Sequence, residues 1–503
     1  MNPLFKPTSY SKGAALAVGA TFAWKFISFL NALLLAAYFG ATYHTDLYFY
    51  LIMVLGFGVA FVQRLNQTVL LPEALFLHEQ SADSARRFLM MWLYIYTLLC
   101  MVCGGLGTVF SLHIWGWMSR FTPQELAGQQ LLLILGAWWF GLQLVSYYLQ
   151  TIADLFKYFA AAWLGVLNAL LPLVCLFTFG RQVGLSAMLY GFIAANIIQI
   201  GILLVLCKKQ LGFSLAPAWH PVPLRARQNI LAGQSLAVLD IVNSLLPVYL
   251  MSGLNAGVIT ALNYCRQFTD SATEIFTART ANVVKIQLTE DAAKQQQNRL
   301  QLHFLTATQV LILLLAPLTV FSCYFAPQIV ELFFERGEFT PQATRQTVFF
   351  LRPMLWVMLL TAAGYLQNSA IVACRKIKES FPYALAAGLF LTGLLAWFIP
   401  RCGAFSYPYL LGAGLLAGFL FNAVFFRQHL PFCAYQKHLW VTLRLSGLAA
   451  IALLPAIGLS KLLPSHCFWQ IIGCGIVFVG IYGLLVRLSG DLQSLRDFFR
   501  NNL

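Results

Sequence analysis

The sequence predicts an all-α polytopic membrane protein with fourteen transmembrane helices, arranged as two six-helix lobes and two C-terminal helices. Three observations lead to that class. Hydrophobic residues make up 60% of the 503 residues and charged residues only 10%, whereas an ordinary soluble domain carries about 25% charged residues. The mean hydropathy is +0.74, more apolar surface than a water-facing fold can bury. The apolar residues also run in long blocks, many near the roughly 20 residues that cross a bilayer as helix.

Taken in order, the blocks fall at 13–38, 47–71, 88–112, 129–152, 158–180, 184–207, 229–253, 256–285, 302–326, 347–372, 381–400, 407–428, 439–463 and 467–487. The first is too long for a signal peptide and lacks a small-residue cleavage site, so it is expected to remain as the first span. With the N-terminus placed in the cytoplasm, twenty of the 32 Lys and Arg fall on inner segments, six on outer loops and six within spans. This bias predicts that both termini are cytoplasmic. The longest inner link, residues 208–228, holds three prolines and four basic residues. The expected organisation is therefore an N-lobe (1–207), a linker (208–228), a C-lobe (229–428) and a C-terminal pair of helices with a tail (429–503). Duplicated halves of this kind are common among transporters.

Composition also excludes classes. A net charge of +15 suggests nucleic acid, but the basic residues are spread between apolar blocks and form no patch. Eleven cysteines are scattered through the apolar runs. Cys100 and Cys103 lie mid-span, where small packing residues are expected. There is no Walker A motif, HExxH, zinc-ligand spacing or nucleophile elbow in a suitable setting. The pattern fits a transporter rather than an enzyme, with no cofactor and no metal.

Ionisable residues inside spans are costly, and they direct attention to function. The block 256–285 is the most polar. At about 100° per residue, Asn263, Arg266, Asp270, Thr273 and Thr277 share one side, with Glu274 at its edge and Leu262, Phe268, Ile275 and Ala278 opposite. This reads as a helix with one wet side. Lys25 lies midway along the first block, too deep for easy snorkelling. Arg64 lies toward the inner end of the second, as a cavity or snorkelling residue. In AVLDIVNSLLPVYL, Asp240 shares a face with Asn243, Ser244 and Pro247. Asp240, with Asn243, is a candidate counter-ion to Arg266 or Lys25, or a site for a coupling cation. Asp270 and Glu274 are candidates for the same roles. Arg279, Arg352 and Arg444 are expected at the interface. Deep cations suggest an anionic cargo, because Lys and Arg are the usual partners of phosphate and diphosphate.

Several stretches then resemble one family. They are LLLAAYFGATYHTDLYFYLI with its turn at Phe39–Ala41, GLNAGVITALNYCRQF, IVELFFERGEFT at 329–340, and ACRKIKESFPYAL. Together they resemble the MurJ (MviN) lipid II flippases of the MOP exporter superfamily, over about residues 20–500. The resemblance implies two lobes around a cationic cavity. That cavity would take the headgroup of a polyprenyl-diphosphate-linked glycan and leave the lipid tail in the bilayer. It implies alternating access in a bacterial cytoplasmic (inner) membrane, driven by membrane potential or a coupling cation (Na+ or H+). Membrane lipid and the glycan synthesis machinery would be its partners. Arg266 falls at the family's eighth-span arginine, Asp46 at its acidic residue after the Phe-Gly turn, and Lys25 at a first-span arginine. The second arginine of that span falls at Asn31. The family's Arg-Arg-x-x-x-Glu-Gly-Ala-Phe segment is replaced by GVAFVQRLNQTVLLP, with Arg64 nearby but not at the same position. Two other readings compete: a cation-coupled multidrug exporter of the same superfamily, and a non-transporting scaffold for a glycan assembly complex. Deep cations and fourteen spans argue against the exporter.

Overall fold

The computed structural model describes residues 10–210, 224–462 and 467–490. Among these residues every regular element is helical. In hydrocarbon an unpaired backbone N–H or C=O is costly, and a helix satisfies both internally. The first six spans are α1 (Tyr10–Phe39), α2 (Tyr43–Leu65), α3 (Ala82–Met118), α4 (Gln130–Leu155), α5 (Leu167–Val183) and α6 (Ser186–Gln210). The next are α7 (Leu224–Met251), α8 (Val258–Ala272), α9 (Gln297–Tyr324) and α10 (Pro341–Ala373). The last four are α11 (Ile377–Cys402), α12 (Tyr407–His429), α13 (Tyr435–Ser460) and α14 (Cys467–Leu488). Twelve helices among the described residues are long and apolar enough to cross a membrane. The other two are α7, whose apolar part is Val238–Met251, and α8, which carries Arg266 and Asp270.

Two boundaries differ from expectation for one physical reason. The second span does not run to 71 as α-helix, and 256–285 is not one regular helix. A π-helical turn, Asn66–Leu70, follows α2 and leads into a short helix, Leu71–Gln80. A second, Thr273–Ala278, joins α8 to a helix at Arg279–Ala293. Each wide turn rotates the residues downstream of it about the helix axis, so a projection at 100° per residue stops holding there. Thr277, expected on the wet side, is fully buried, and Ile275, expected opposite, is exposed. The part of the linker at 211–223, the side chain of Arg279 and the tail beyond 490 lie outside the described residues.

The chain forms two compact units, Met1–Thr260 and Ala261–Leu503. In the first, α3 packs along α4, α4 and α5 pack on α6, α1 packs on α5, and α2 contacts α4 and α7. Small residues let the backbones approach, as is common between helices in lipid. A Cβ added at Gly107 of α3 would lie 2.2 Å from the Cβ of Ala137 on α4. Tyr148 of α4 donates its hydroxyl to the Leu89 carbonyl of α3 at 2.7 Å. The ten described cysteines are all free, Cys100 and Cys103 among them.

In the second unit, α9 packs on α10 and α13, α11 on α12, and α13 on α14. A polar chain crosses this apolar core. His438 of α13 is fully buried. Its Nδ1 lies 2.8 Å from Thr308 Oγ1 of α9, and its Nε2 lies 3.2 Å from Gln367 Nε2 of α10. Asn422 of α12 donates to Gln367 Oε1 at 2.8 Å. The network ties α13, one of the two added helices, to three helices of the lobe.

Candidate functional site

In the first unit the best-defined polar contact is made by Asp46. Gly40, at φ +59, ends α1, and Thr42 caps α2 through a capping box with Thr45. Asp46 therefore sits in the first turn of α2, with its side chain 3% exposed. The Gly257 N–H donates to Oδ2 at 2.6 Å. The Thr260 N–H and Oγ1–H donate to Oδ1 at 2.7 and 2.6 Å. These donors belong to the start of α8, where amides lack partners within the helix and the dipole favours an anion. Asp46 is thus accounted for as the cap of α8 without a ligand.

Asn31 also has a partner within the fold. It is 6% exposed, and its amide donates to the Ala169 carbonyl of α5 at 2.7 Å. That contact joins α1 to α5. Lys25 is half-buried, with its Nζ 4.9 Å from the centre of the Trp24 ring. That contact is a cation–π interaction, which holds an ammonium without neutralising it.

Arg64 and Asp240 meet across α2 and α7 at 3.5 Å, with side chains 49% and 73% exposed. The counter-ion of Asp240 is thus Arg64. The pair opens onto a cavity of about 190 Å³ lined also by Phe57, Ala60, Phe61, Ile241 and Ser244. Asn243 lies half-buried nearby on α7. The helix continues through Pro247.

In the second unit α8 presents two unlike faces. Tyr264 and Phe268, one turn apart, pack into Phe334 at 4.8 and 5.7 Å between ring centres. Tyr264 also meets Phe339 at 5.6 Å, and Phe268 meets Phe333 at 6.0 Å. These phenylalanines come from IVELFFERGEFT. There the helix Ala326–Phe334 ends, Gly337 turns at φ +61, and Thr340 caps α10. Glu335 of that stretch accepts from the Thr344 hydroxyl at 2.6 Å, and Arg336 donates to the Leu332 carbonyl at 2.7 Å. The charges of the stretch stay local, and its aromatic rings brace α8 from behind.

Arg266 lies about 200° around the helix from Tyr264, away from that brace. Its guanidinium Nη2 donates to the Tyr407 hydroxyl at 2.7 Å, and its Cζ lies 5.7 Å from the centre of the Tyr407 ring. The Asp270 carboxylate, one turn on, acts on it electrostatically. Asn263 and Arg266 are half-buried, while Asp270 and Glu274 are exposed. Within α8 the polar side is thus more exposed at Asp270 than at Asn263 and Arg266. Outside α8, Arg352 donates its Nε to the Cys323 carbonyl at 3.2 Å, and the Arg444 guanidinium lies 4.8 Å from the Trp440 ring.

A family model described as "Lipid II flippase MurJ" matches residues 35–472. The chain belongs to that family. The MurJ family is one of flippases, which are transporters and not enzymes. The fold agrees. A solved structure described as "Lipid II flippase MurJ, inward closed conformation" superposes with a TM-score of 0.77 at 17% identity, covering 95% of this chain and 99% of that one. A multidrug resistance MATE family transporter of the MOP superfamily, inward-facing, gives 0.57 at 14% identity over 86% of this chain and 97% of that one. An outward-facing MATE transporter gives 0.51 at 12% identity over 87% and 94%. A sequence comparison with curated proteins finds no match. Within the MurJ match lie α8, its aromatic brace and Arg266. Lys25 and Asn31 lie just outside it.

Sequence reasoning missed two residues of this site. Tyr407 is 141 positions from Arg266, and no local periodicity links them. Thr260 is 214 positions from Asp46. The unpaired amides expected at that start were the available signal for its acidic partner.

Proposed function

We propose that this protein is a flippase for a polyprenyl-diphosphate-linked sugar precursor, lipid II or another cell-surface glycan. It moves the headgroup from the inner to the outer leaflet by alternating access, with the lipid tail left in the bilayer. It resides in the bacterial cytoplasmic membrane with both termini inside. The observation that carries this reading is Arg266, in a chain of the MurJ family. It is a half-buried guanidinium on α8, steadied by a tyrosine hydroxyl and carried on the side of the helix turned away from an aromatic brace. A planar cation of this kind suits the paired oxygens of a diphosphate. Lys25 supplies a second cation of the same sign at a family arginine position. The Arg64–Asp240 pair serves the α2–α7 contact. Energy comes from the membrane potential or a coupling cation, with glycan synthesis enzymes supplying the cargo.

The test is Arg266→Ala and, separately, Lys25→Ala, in cells that depend on this protein. Export of the glycan is expected to stop while folded protein remains in the membrane. Normal export by both variants would rule out the diphosphate clamp.

A further inference from the structure

We infer that Tyr407 is a positioning residue that presets the Arg266 guanidinium for an anionic headgroup. The inference rests on the reading of Arg266 just given. Arginine carries a long side chain with several rotatable bonds, and gripping an anion means giving up that freedom. A partner that fixes the guanidinium beforehand raises affinity without touching the ligand.

Tyr407 is built for that task. Gly403, at φ +80, ends α11 after Pro400. A single 3-10 turn, Ala404–Ser406, then leads directly into α12. Ser406 closes that turn by donating its hydroxyl to the Gly403 carbonyl at 2.6 Å. Phe405 wedges against Phe349 and Phe350 of α10 at 4.8 and 5.0 Å. Pro408 lies in the first turn of α12, where its missing N–H costs nothing. The backbone at Tyr407 is therefore anchored on both sides, and the side chain is 3% exposed.

From this anchored base Tyr407 makes two contacts with one group. Its hydroxyl accepts from Nη2 at 2.7 Å, and its ring lies 5.7 Å from Cζ. A neutral hydroxyl orients the guanidinium but leaves its charge uncompensated, as a carboxylate would not. Asp270 supplies opposite charge from the helix turn beyond. Tyr407 thus supplies orientation through a neutral group.

The experiment is a double-mutant cycle on the full-length protein, with variants Tyr407→Phe, Arg266→Ala and both together. The readout is binding of a polyprenyl diphosphate presented in detergent micelles, with the corresponding polyprenol as the tail-only control. Tyr407→Phe keeps the ring and removes the hydrogen bond to a charged group, so about a tenfold loss of affinity is expected. Arg266→Ala is expected to lose at least as much. The double variant is expected to bind no worse than Arg266→Ala, with thermal stability little changed by Tyr407→Phe. Losses that multiply in the double variant would mean that Tyr407 acts independently of Arg266. Unchanged binding by Tyr407→Phe, while Arg266→Ala binds poorly, would overturn the positioning role alone. Unchanged binding by Arg266→Ala would sink the headgroup reading, and the role of Tyr407 with it.

Discussion

Asp46→Asn tests how the start of α8 is held. The carboxylate accepts from two backbone amides and one hydroxyl at 2.6–2.7 Å, in a site only 3% exposed. Asparagine keeps the shape but turns one oxygen into an NH2 that faces another donor. A hydrogen bond to a charged group contributes about 1.5–3 kcal/mol, and a buried N–H left unsatisfied costs about 1–3 kcal/mol. Loss of the anion from the helix N-terminus adds about 0.5–1 kcal/mol. These effects overlap, so about 3 kcal/mol is a fair total, or about a hundredfold in the local opening equilibrium. Hydrogen exchange followed by mass spectrometry on peptides spanning Gly257 and Thr260 reads that equilibrium directly. Their exchange should quicken by about two orders of magnitude, with peptides of α3 and α4 unaffected. Unchanged exchange at Gly257 and Thr260 in a folded Asp46→Asn protein would refute the capping role.

Two further perturbations probe the packing. His438→Leu removes the partner of Gln367 and Thr308 in a fully buried site, so it should cost about 2–4 kcal/mol. The purified protein should melt at a lower temperature, and adding Gln367→Leu should recover part of the loss. Gly107→Ala puts a Cβ 2.2 Å from that of Ala137, which overpacks the α3–α4 contact by about 1–3 kcal/mol. Thermal melting should show the loss, and Ala137→Gly in the same chain should restore stability.

The spans were legible because a membrane helix has a length and a composition that survive any tertiary context. The polar side of α8 was legible as far as Ala272, where regular helix ends. Beyond it the π turn at Thr273–Ala278 shifted the phase, and Thr277 and Ile275 changed places with respect to burial. No residue pattern in that stretch marks the wider turn. The family motifs did not disclose the physical roles of their residues. IVELFFERGEFT supplies rings to brace α8, while Glu335 and Arg336 make hydrogen bonds to neutral groups close by in sequence. The contacts that fix the candidate side chains lie far apart in sequence. Asp46 reaches Gly257 across 211 positions, and Arg266 reaches Tyr407 across 141. Such pairs are decided by helix packing, which one sequence read by local periodicity does not encode. Asp240 illustrates the limit. Its place within a span suggested Arg266, Lys25 or a coupling cation as its partner, whereas the packing of α2 on α7 brings Arg64 to it.

The central claim is that this chain moves a diphosphate-linked glycan lipid across a bilayer through Arg266. Its most direct test uses the purified full-length protein in liposomes loaded with a labelled polyprenyl-diphosphate sugar. Arrival of the headgroup at the opposite leaflet is followed by its accessibility to an impermeant enzyme or quencher, under an imposed membrane potential. The account predicts rapid transfer with the unaltered protein and transfer at the protein-free rate with Arg266→Ala. Equal, rapid transfer by both proteins would contradict it.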